Sequence, residues 1–325
     1  MHATLSRLTP LLFASPRVRQ LHASLGNAEQ GKLITGFRQR VAECNREGPP
    51  SLPFLVGDTL AGRVSATIVP ALAEHPAVFE VSDDTVRLAA PLVSAPLEER
   101  TAAVATVTSA MKEAGLVNGW RDELLAVTTA FDAPPVLLLE RACVPMFGTG
   151  GYGVHVNGYC REPETGEGYL WVATRAASKQ TWPSMLDHMV AGAQPAGLSP
   201  SENVIKEAGE EAGVPPELAA TARSVGCVNY CGTDEWDQLR RDTLFCYDME
   251  LPWDFVPTAV DGEVDSFERW PYAKVARAVA FADPAAYKPN CNLVVIDFLV
   301  RQGFITADAP GYLQLLGSLR TPECR

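Results

Sequence analysis

A glycine-bearing loop followed by a short acidic helix, residues 192–214 with the sequence GAQPAGLSPSENVIKEAGEEAGV, constrains this chain more than any other segment. On a helix, Glu207, Glu210 and Glu211 lie at positions i, i+3 and i+4, so their carboxylates share one face. Like charges at this spacing repel one another, whereas a divalent cation such as Mg²⁺ attracts carboxylate oxygens. The spacing therefore indicates either a metal site or an acidic face in contact with solvent.

The same stretch contains its own helix start. Residues 199–202, Ser-Pro-Ser-Glu, have the form of a capping box with proline at the first helical position. Glu202 is therefore predicted to cap the helix rather than to bind a metal. Gly209 lies in the helix interior, where glycine costs about 1 kcal/mol relative to alanine, and the sequence gives no reason for it.

Composition excludes several classes of protein. The 325 residues are 47% hydrophobic and 20% charged, which predicts a folded chain with one large domain or two ordinary ones. The net charge of −12, without a basic patch, argues against nucleic-acid binding. No apolar run reaches the roughly 18 residues that a membrane span needs. The eight cysteines form no CxxC pair, so their spacing predicts no zinc site.

The first 30 residues differ in composition from the remainder. They contain Arg7, Arg17 and Arg19, several serines and threonines, and no acidic residue before Glu29. This composition is typical of an organelle transit peptide, which predicts a mitochondrial or plastid location. The alternative is an N-terminal tail on a cytoplasmic protein.

The remaining chain divides into two units on sequence patterns. Residues 31–141 alternate between helical and strand-like segments, with a hairpin around residues 82–84 and an alanine-rich helix that ends near Gly115. Residues 142–325 begin with strand-like segments. The glycines at 148, 150 and 151 lack the Lys-Ser/Thr ending of a phosphate-binding loop, so a turn is predicted there.

The acidic helix resembles the Nudix box, G-x5-E-x7-R-E-U-x-E-E-x-G-U, in which U is a bulky aliphatic residue. Aligned on Gly213, the box matches at the positions Gly192, Glu207, Glu210, Glu211 and Val214. Three positions depart from it. Leu198 replaces the first glutamate, Lys206 replaces the arginine, and Ala208 is smaller than usual.

The resemblance extends over roughly residues 33–320, to a branch of the Nudix superfamily with an N-terminal domain related to thiamine pyrophosphokinase. It implies an α/β fold, namely a Nudix α/β/α sandwich with a mixed sheet, preceded by a smaller α/β domain. It also implies hydrolysis of thiamine diphosphate, or of its oxidised analogues, to the monophosphate.

Site roles follow from that resemblance. Glu207, Glu210 and Glu211 would hold Mg²⁺ or Mn²⁺, with the backbone carbonyl of Gly192 as a possible further ligand. A metal-bound water would attack phosphorus, and Glu210, Glu211 or the distant Glu263 would take its proton.

Two other residues receive predicted roles. Lys206 would orient a glutamate by ion pairing. Trp182 is a candidate for stacking against the substrate rings, with a place in the hydrophobic core as the alternative.

Three other functions remain open at this point. The chain could be a Nudix hydrolase of another diphosphate, such as a nucleoside diphosphate derivative. It could transfer diphosphate from ATP to thiamine, or it could be a non-catalytic ligand-binding Nudix protein. The expected partner is a small-molecule diphosphate, with neither nucleic acid nor membrane.

Overall fold

The computed structural model describes residues 25–48, 50–234 and 238–320. Residues 1–24, which carry most of the predicted targeting segment, lie outside the described residues. The helices are α1 (Asn27–Cys44), α2 (Val69–Ala73), α3 (Ala90–Val93), α4 (Leu97–Glu113), α5 (Val144–Phe147), α6 (Pro200–Ala212), α7 (Pro216–Ala219), α8 (Tyr272–Phe281), α9 (Pro289–Arg301) and α10 (Tyr312–Ser318). The strands are β1 (Ser51–Val56), β2 (Thr59–Ser65), β3 (Phe79–Val81), β4 (Val86–Leu88), β5 (Leu124–Val127), β6 (Leu137–Glu140), β7 (Gly151–Arg161), β8 (Gly168–Arg175), β9 (Leu186–His188), β10 (Val190–Ala193), β11 (Arg223–Thr233), β12 (Leu239–Glu250) and β13 (Val264–Pro271).

The smaller unit is built on a four-stranded sheet in the order β2-β1-β4-β3. Strands β3 and β4 form the predicted hairpin, and the alanine-rich segment is helix α4. Phe54, Phe79 and Phe147 meet in its core, where the rings of Phe54 and Phe147 pack edge to face with centroids 5.3 Å apart. Because Phe147 belongs to α5, the start of the second unit is anchored in the core of the first.

The larger unit is a sandwich around a seven-stranded mixed sheet. The order is β11-β12-β7-β8-β13, with β10 added to β7 and β9 added to β8. Strands β12 and β7 run parallel and the other pairs run antiparallel. Helix α6 packs in one apolar cluster and helices α1, α8 and α9 pack in another. The α/β/α sandwich with a smaller α/β unit, expected from the sequence, is therefore confirmed.

Helix α1 belongs to the core of the larger unit, although the sequence placed it in the N-terminal one. Its apolar residues Leu33, Phe37 and Val41 are buried with side chains of α8 and α9. Gly36 permits this contact, because a Cβ there would lie 2.5 Å from the carbonyl oxygen of Ala280. The sequence predicts the helical spacing of these apolar residues, but it does not predict that they pack against α8 and α9.

A buried ion network fastens α9 to the large sheet. Arg301 donates to both oxygens of Asp248 on β12 and, through Nε at 2.6 Å, to Asp297. The carboxylate side chains of Asp248 and Asp297 are only 1% and 4% exposed. The guanidinium is therefore a counterion of two buried carboxylates, and Asp297 is also paired with Arg320 at 2.8 Å.

We expect Arg301→Gln to lower the free energy of unfolding by about 3–5 kcal/mol, because removing one partner strands buried charge. Urea unfolding at neutral pH measures this. Arg277→Gln is the matched control, since Arg277 pairs with Asp283 at the surface and its loss should cost at most about 1 kcal/mol. Equal stability of the two variants would contradict the assignment of Arg301 as a buried counterion.

Within the described ranges, no helix is both long and apolar enough to cross a bilayer.

Candidate active site

Helix α6 begins and ends at residues that the sequence marked. Ser199 Oγ accepts the backbone N–H of Glu202, and the Glu202 carboxylate accepts the backbone N–H of Ser199 at 2.9 Å. The capping role predicted for Glu202 is confirmed. At the other end Gly213 adopts a φ of +61°, which ends the helix at low steric cost.

Strand β10 brings Gly192 against the acidic face of α6. A Cβ on Gly192 would lie 2.3 Å from Cδ of Glu207 and 2.5 Å from its Cγ. Real side chains do not approach this closely, so glycine is the residue that lets Glu207 lie across the strand. The first glycine and the first matching glutamate of the box are thus in direct contact.

Glu211 is the most buried carboxylate of the three, with 8% of its surface exposed. Its Oε2 accepts the backbone N–H of Ala191 at 2.8 Å. Burial raises the pKa of Glu211 well above its ordinary value, and the nearby carboxylates of Asp187, Glu207 and Glu263 raise it further. The Ala191 amide opposes that shift but does not cancel it. A cation beside Glu211 would relieve this cost directly.

Glu207 and Glu210 share one ammonium group. Lys206 Nζ donates to Glu207 Oε1 at 3.1 Å and to Glu210 Oε2 at 2.7 Å. Burial raises the pKa of Glu207, whereas Glu210 is exposed to solvent. Among the residues that the structure describes, the three carboxylates do not converge as a set within 4.8 Å, and Lys206 lies between two of them.

The donor set fits a hard divalent ion. Glu207, Glu210 and Glu211 supply only oxygen atoms, which Mg²⁺ and Mn²⁺ prefer. Three carboxylates face a single ammonium, so the helix face carries excess negative charge. Lys206 engages one oxygen of Glu207 and one of Glu210, which leaves the second oxygen of each carboxylate for an ion.

We expect Lys206→Met to tighten Mn²⁺ binding by roughly threefold to tenfold, because an ammonium beside two ligand carboxylates repels the incoming cation. A Mn²⁺ titration followed by electron paramagnetic resonance measures the change. Lys274→Met is the control, since Lys274 lies on α8 near Glu268 and away from α6. Weaker Mn²⁺ binding in Lys206→Met would show that the ammonium holds the ligands in place more than it repels the metal.

Glu263 lies near this cluster but is engaged elsewhere. It forms an ion pair with Lys179, and its backbone carbonyl accepts the N–H of Ala176 at 2.9 Å. Burial raises the pKa of Glu263, but the hydrogen bond and charge of Lys179, together with the charges of Arg141 and Arg175, outweigh it, so the net shift is downward. As a proton acceptor Glu263 is therefore weakened, while its charge still acts on Glu211.

A cavity opens beside Gly192 with a cationic wall. Arg141, Arg240 and Lys288 line it together with Trp182, His155 and one carboxylate, Asp242. Trp182 has a φ of +50°, and its ring centroid lies 5.8 Å from the Arg240 guanidinium and 5.5 Å from the Lys288 ammonium. Trp182 also borders a second cavity. The sequence predicted either stacking against the substrate or burial in the hydrophobic core for Trp182. In the structure its side chain lines the wall of the cavity.

The cationic wall was missed by sequence reasoning. Its residues come from separate segments of the chain, between β6 and α9, and no short motif connects them. Sequence does give one signal for the cavity itself. The alternation of side chains along β7 places Gly153 and His155 on the same side of the strand, and both residues line the cavity.

Comparisons with known proteins define the class. Residues 36–150 match a family described as a domain of unknown function (DUF4743). The chain is 41% identical over 294 residues to "Nudix hydrolase 24, chloroplastic" of Arabidopsis thaliana, covering 90% of this chain and 79% of that protein. It is also 41% identical over 312 residues to "Nudix hydrolase 20, chloroplastic" of the same plant, covering 92% and 82%.

Among solved structures, the NUDIX domain of Shewanella oneidensis NrtR complexed with ADP ribose is similar, with a TM-score of 0.38 and 13% identity. That similarity covers 48% of this chain and 90% of the other.

The chain belongs to the Nudix hydrolase family. It is a Nudix-type hydrolase of diphosphate-containing substrates, a class that generally uses divalent metals. The Nudix resemblance predicted from residues 192–214 is confirmed, and the thiamine-related branch remains a prediction.

Proposed function

We propose that this protein hydrolyses the diphosphate of thiamine diphosphate, or of its oxidised analogues, to the monophosphate, using Mg²⁺ or Mn²⁺ held by Glu207, Glu210 and Glu211. The observation that carries the proposal is the contact between the acidic face of α6 and Gly192, at the edge of a cavity lined by cations. The backbone carbonyl of Gly192 remains the proposed further ligand.

A bound divalent ion would neutralise charge on the phosphate oxygens and lower the pKa of a coordinated water. The protein supplies orientation and a proton acceptor. Glu211 is preferred over Glu263 as that acceptor, because it lies on the acidic face of α6 itself, whereas Glu263 is held in an ion pair with Lys179. The Ala191 amide fixes Oε2 of Glu211, which leaves Oε1 to take the proton.

The cavity cations have a separate role in this proposal. Arg141, Arg240 and Lys288 complement the negative charge of a diphosphate. Trp182 offers an aromatic face for a substrate ring. Since Arg240 and Lys288 both lie near that face, an uncharged oxidised ring is repelled less than a cationic thiazolium. We therefore expect the oxidised analogues to be better substrates than thiamine diphosphate itself.

A panel of diphosphates tests the substrate. The full chain is assayed with Mg²⁺ or Mn²⁺ on thiamine diphosphate, oxothiamine diphosphate, ADP-ribose and nucleoside diphosphates, with monophosphate release quantified by chromatography. The proposal expects the thiamine-type compounds to have the highest kcat/KM. A preference for ADP-ribose or a nucleoside diphosphate would identify a Nudix hydrolase of another substrate.

Two further arms of the assay separate the other functions. Formation of thiamine diphosphate from thiamine and ATP would identify a diphosphokinase. Tight binding of these ligands without turnover would identify a non-catalytic Nudix module.

We also propose that this protein is located in a plastid or a mitochondrion. The basic composition of residues 1–30 supports an organelle, and the names of both Arabidopsis relatives read chloroplastic. A fluorescent tag at the C-terminus should follow the full chain into the organelle and remain in the cytoplasm when residues 1–24 are deleted. Identical distributions of the two chains would contradict the targeting role.

A further inference from the structure

Beneath the same cavity lies a second cluster with different chemistry. We infer that His155, His188 and Cys291 form a metal site that takes a borderline transition-metal ion such as Zn²⁺. One coordinating atom from each residue lies within 4.8 Å of the others, and all three residues are buried. Its three donor residues are distinct from the glutamates of α6, and His155 also lines the cavity proposed for the substrate.

Three separate elements supply the cluster. His155 lies on β7, His188 ends β9, and Cys291 lies in the first turn of α9. The two imidazole rings stand 4.9 Å apart at an interplanar angle of 88°. An ion held here would join the sheet to the helix layer that covers it.

The histidines lack the partners that buried imidazoles usually have. His188 is 3% exposed and faces the backbone of Cys291, yet neither of its ring nitrogens meets a partner with hydrogen-bond geometry. Nδ1 of His155 is also buried without a partner. Buried polar atoms are nearly always satisfied, so unpaired nitrogens on two adjacent rings point to a ligand.

The thiol of Cys291 is hydrogen-bonded to a buried carboxylate. Cys291 Sγ donates to Asp187 Oδ1 at 2.9 Å, and Asp187 Oδ2 is paired with Arg175 at 2.6 Å. On metal binding the S–H bond breaks, the thiolate forms the metal–sulfur bond, and one proton is released to solvent. Lys288 contributes an unfavourable positive charge nearby, which the thiolate and the Asp187 carboxylate offset.

Donor chemistry separates the two sites. Nitrogen and sulfur ligands select Zn²⁺ and related ions, whereas the all-oxygen face of α6 selects Mg²⁺ or Mn²⁺. Two histidines and one cysteine fill three positions of a tetrahedral ion and leave a fourth. The full chain should therefore bind two kinds of ion without competition between them.

Cobalt substitution tests the site without reference to activity. The full chain is stripped with chelator and titrated with Co²⁺ in the presence of excess Mg²⁺. We expect one equivalent to bind, with a near-ultraviolet thiolate-to-cobalt charge-transfer band that Zn²⁺ abolishes. Cys291→Ser should lose the band, His188→Asn should weaken Co²⁺ binding by about 100-fold, and the buried-cysteine control Cys160→Ser should retain both.

A second measurement needs no variant to fold. X-ray absorption of the Zn²⁺-loaded wild-type chain should give a sulfur shell at about 2.3 Å and nitrogen neighbours at about 2.0–2.1 Å. Absence of sulfur from the zinc shell would overturn the assignment. Failure of the wild-type chain to bind Co²⁺, or unchanged binding in both Cys291→Ser and His188→Asn, would also overturn it.

Discussion

Glu211→Gln is expected to lower metal-dependent hydrolysis by about 10³-fold or more, while the protein remains folded. Glutamine keeps the shape of the side chain, and its amide oxygen can still accept the Ala191 N–H. What is lost is the negative charge and the proton acceptor. Turnover of the preferred diphosphate at saturating Mg²⁺ measures the effect on kcat.

The stability of this variant has a predicted pH dependence. The folded pKa of Glu211 is raised, so folding is favoured when the group is protonated and loses stability as pH rises from about 4.3 through the folded pKa. Metal-free Glu211→Gln should therefore equal the wild type at low pH and exceed it in unfolding free energy at neutral pH. Urea unfolding across pH tests this sign.

Glu202→Gln is the matched control on the same helix. Glutamine preserves the capping box, so its activity and stability should stay close to those of the wild type. Turnover of Glu211→Gln within twofold of the wild type would remove Glu211 from the catalytic assignment.

Gly192→Ala is expected to reduce kcat/KM by about 10²-fold, because correct placement of catalytic groups is lost with displacements of about 1 Å. The added Cβ would lie 2.3 Å from Cδ of Glu207, so either the carboxylate or strand β10 must move. We expect weaker Mn²⁺ binding in the same variant and a loss of about 1–3 kcal/mol in unfolding free energy.

Gly209→Ala provides the contrasting control on α6. Among the described residues, and apart from the backbone of the helix itself, a Cβ at this position has the carbonyl oxygen of Val214 as its nearest neighbour, at 3.9 Å. Alanine should therefore fit, keep the activity and stabilise the protein by about 1 kcal/mol. Full activity in Gly192→Ala would mean that Glu207 does not lie against Gly192 during turnover.

Sequence reasoning succeeded where the determinants are local. The capping box at 199–202, the glycine end at 213 and the glutamate spacing on α6 depend on residues a few positions apart. Their geometry follows from the helical repeat alone. The α/β/α sandwich was accessible because the box carried a family resemblance over most of the chain.

Features built from distant segments could not be predicted. The cluster of His155, His188 and Cys291 needs strands β7 and β9 to meet helix α9, and no local spacing encodes that meeting. The position of Trp182 depends on its positive φ and on two cations from other elements. The same holds for helix α1. Its apolar face was evident from the sequence, but its packing against α8 and α9 was not.

Mn²⁺ binding followed by electron paramagnetic resonance tests the metal site most directly. The wild type is compared with Glu207→Gln, Glu210→Gln and Glu211→Gln, and Mn²⁺ is chosen because its preference for oxygen ligands directs it to α6. We predict that each substitution weakens Mn²⁺ binding, with the two less exposed residues, Glu207 and Glu211, mattering more than Glu210. Equal Mn²⁺ affinity in all four proteins would contradict a catalytic metal held by these glutamates.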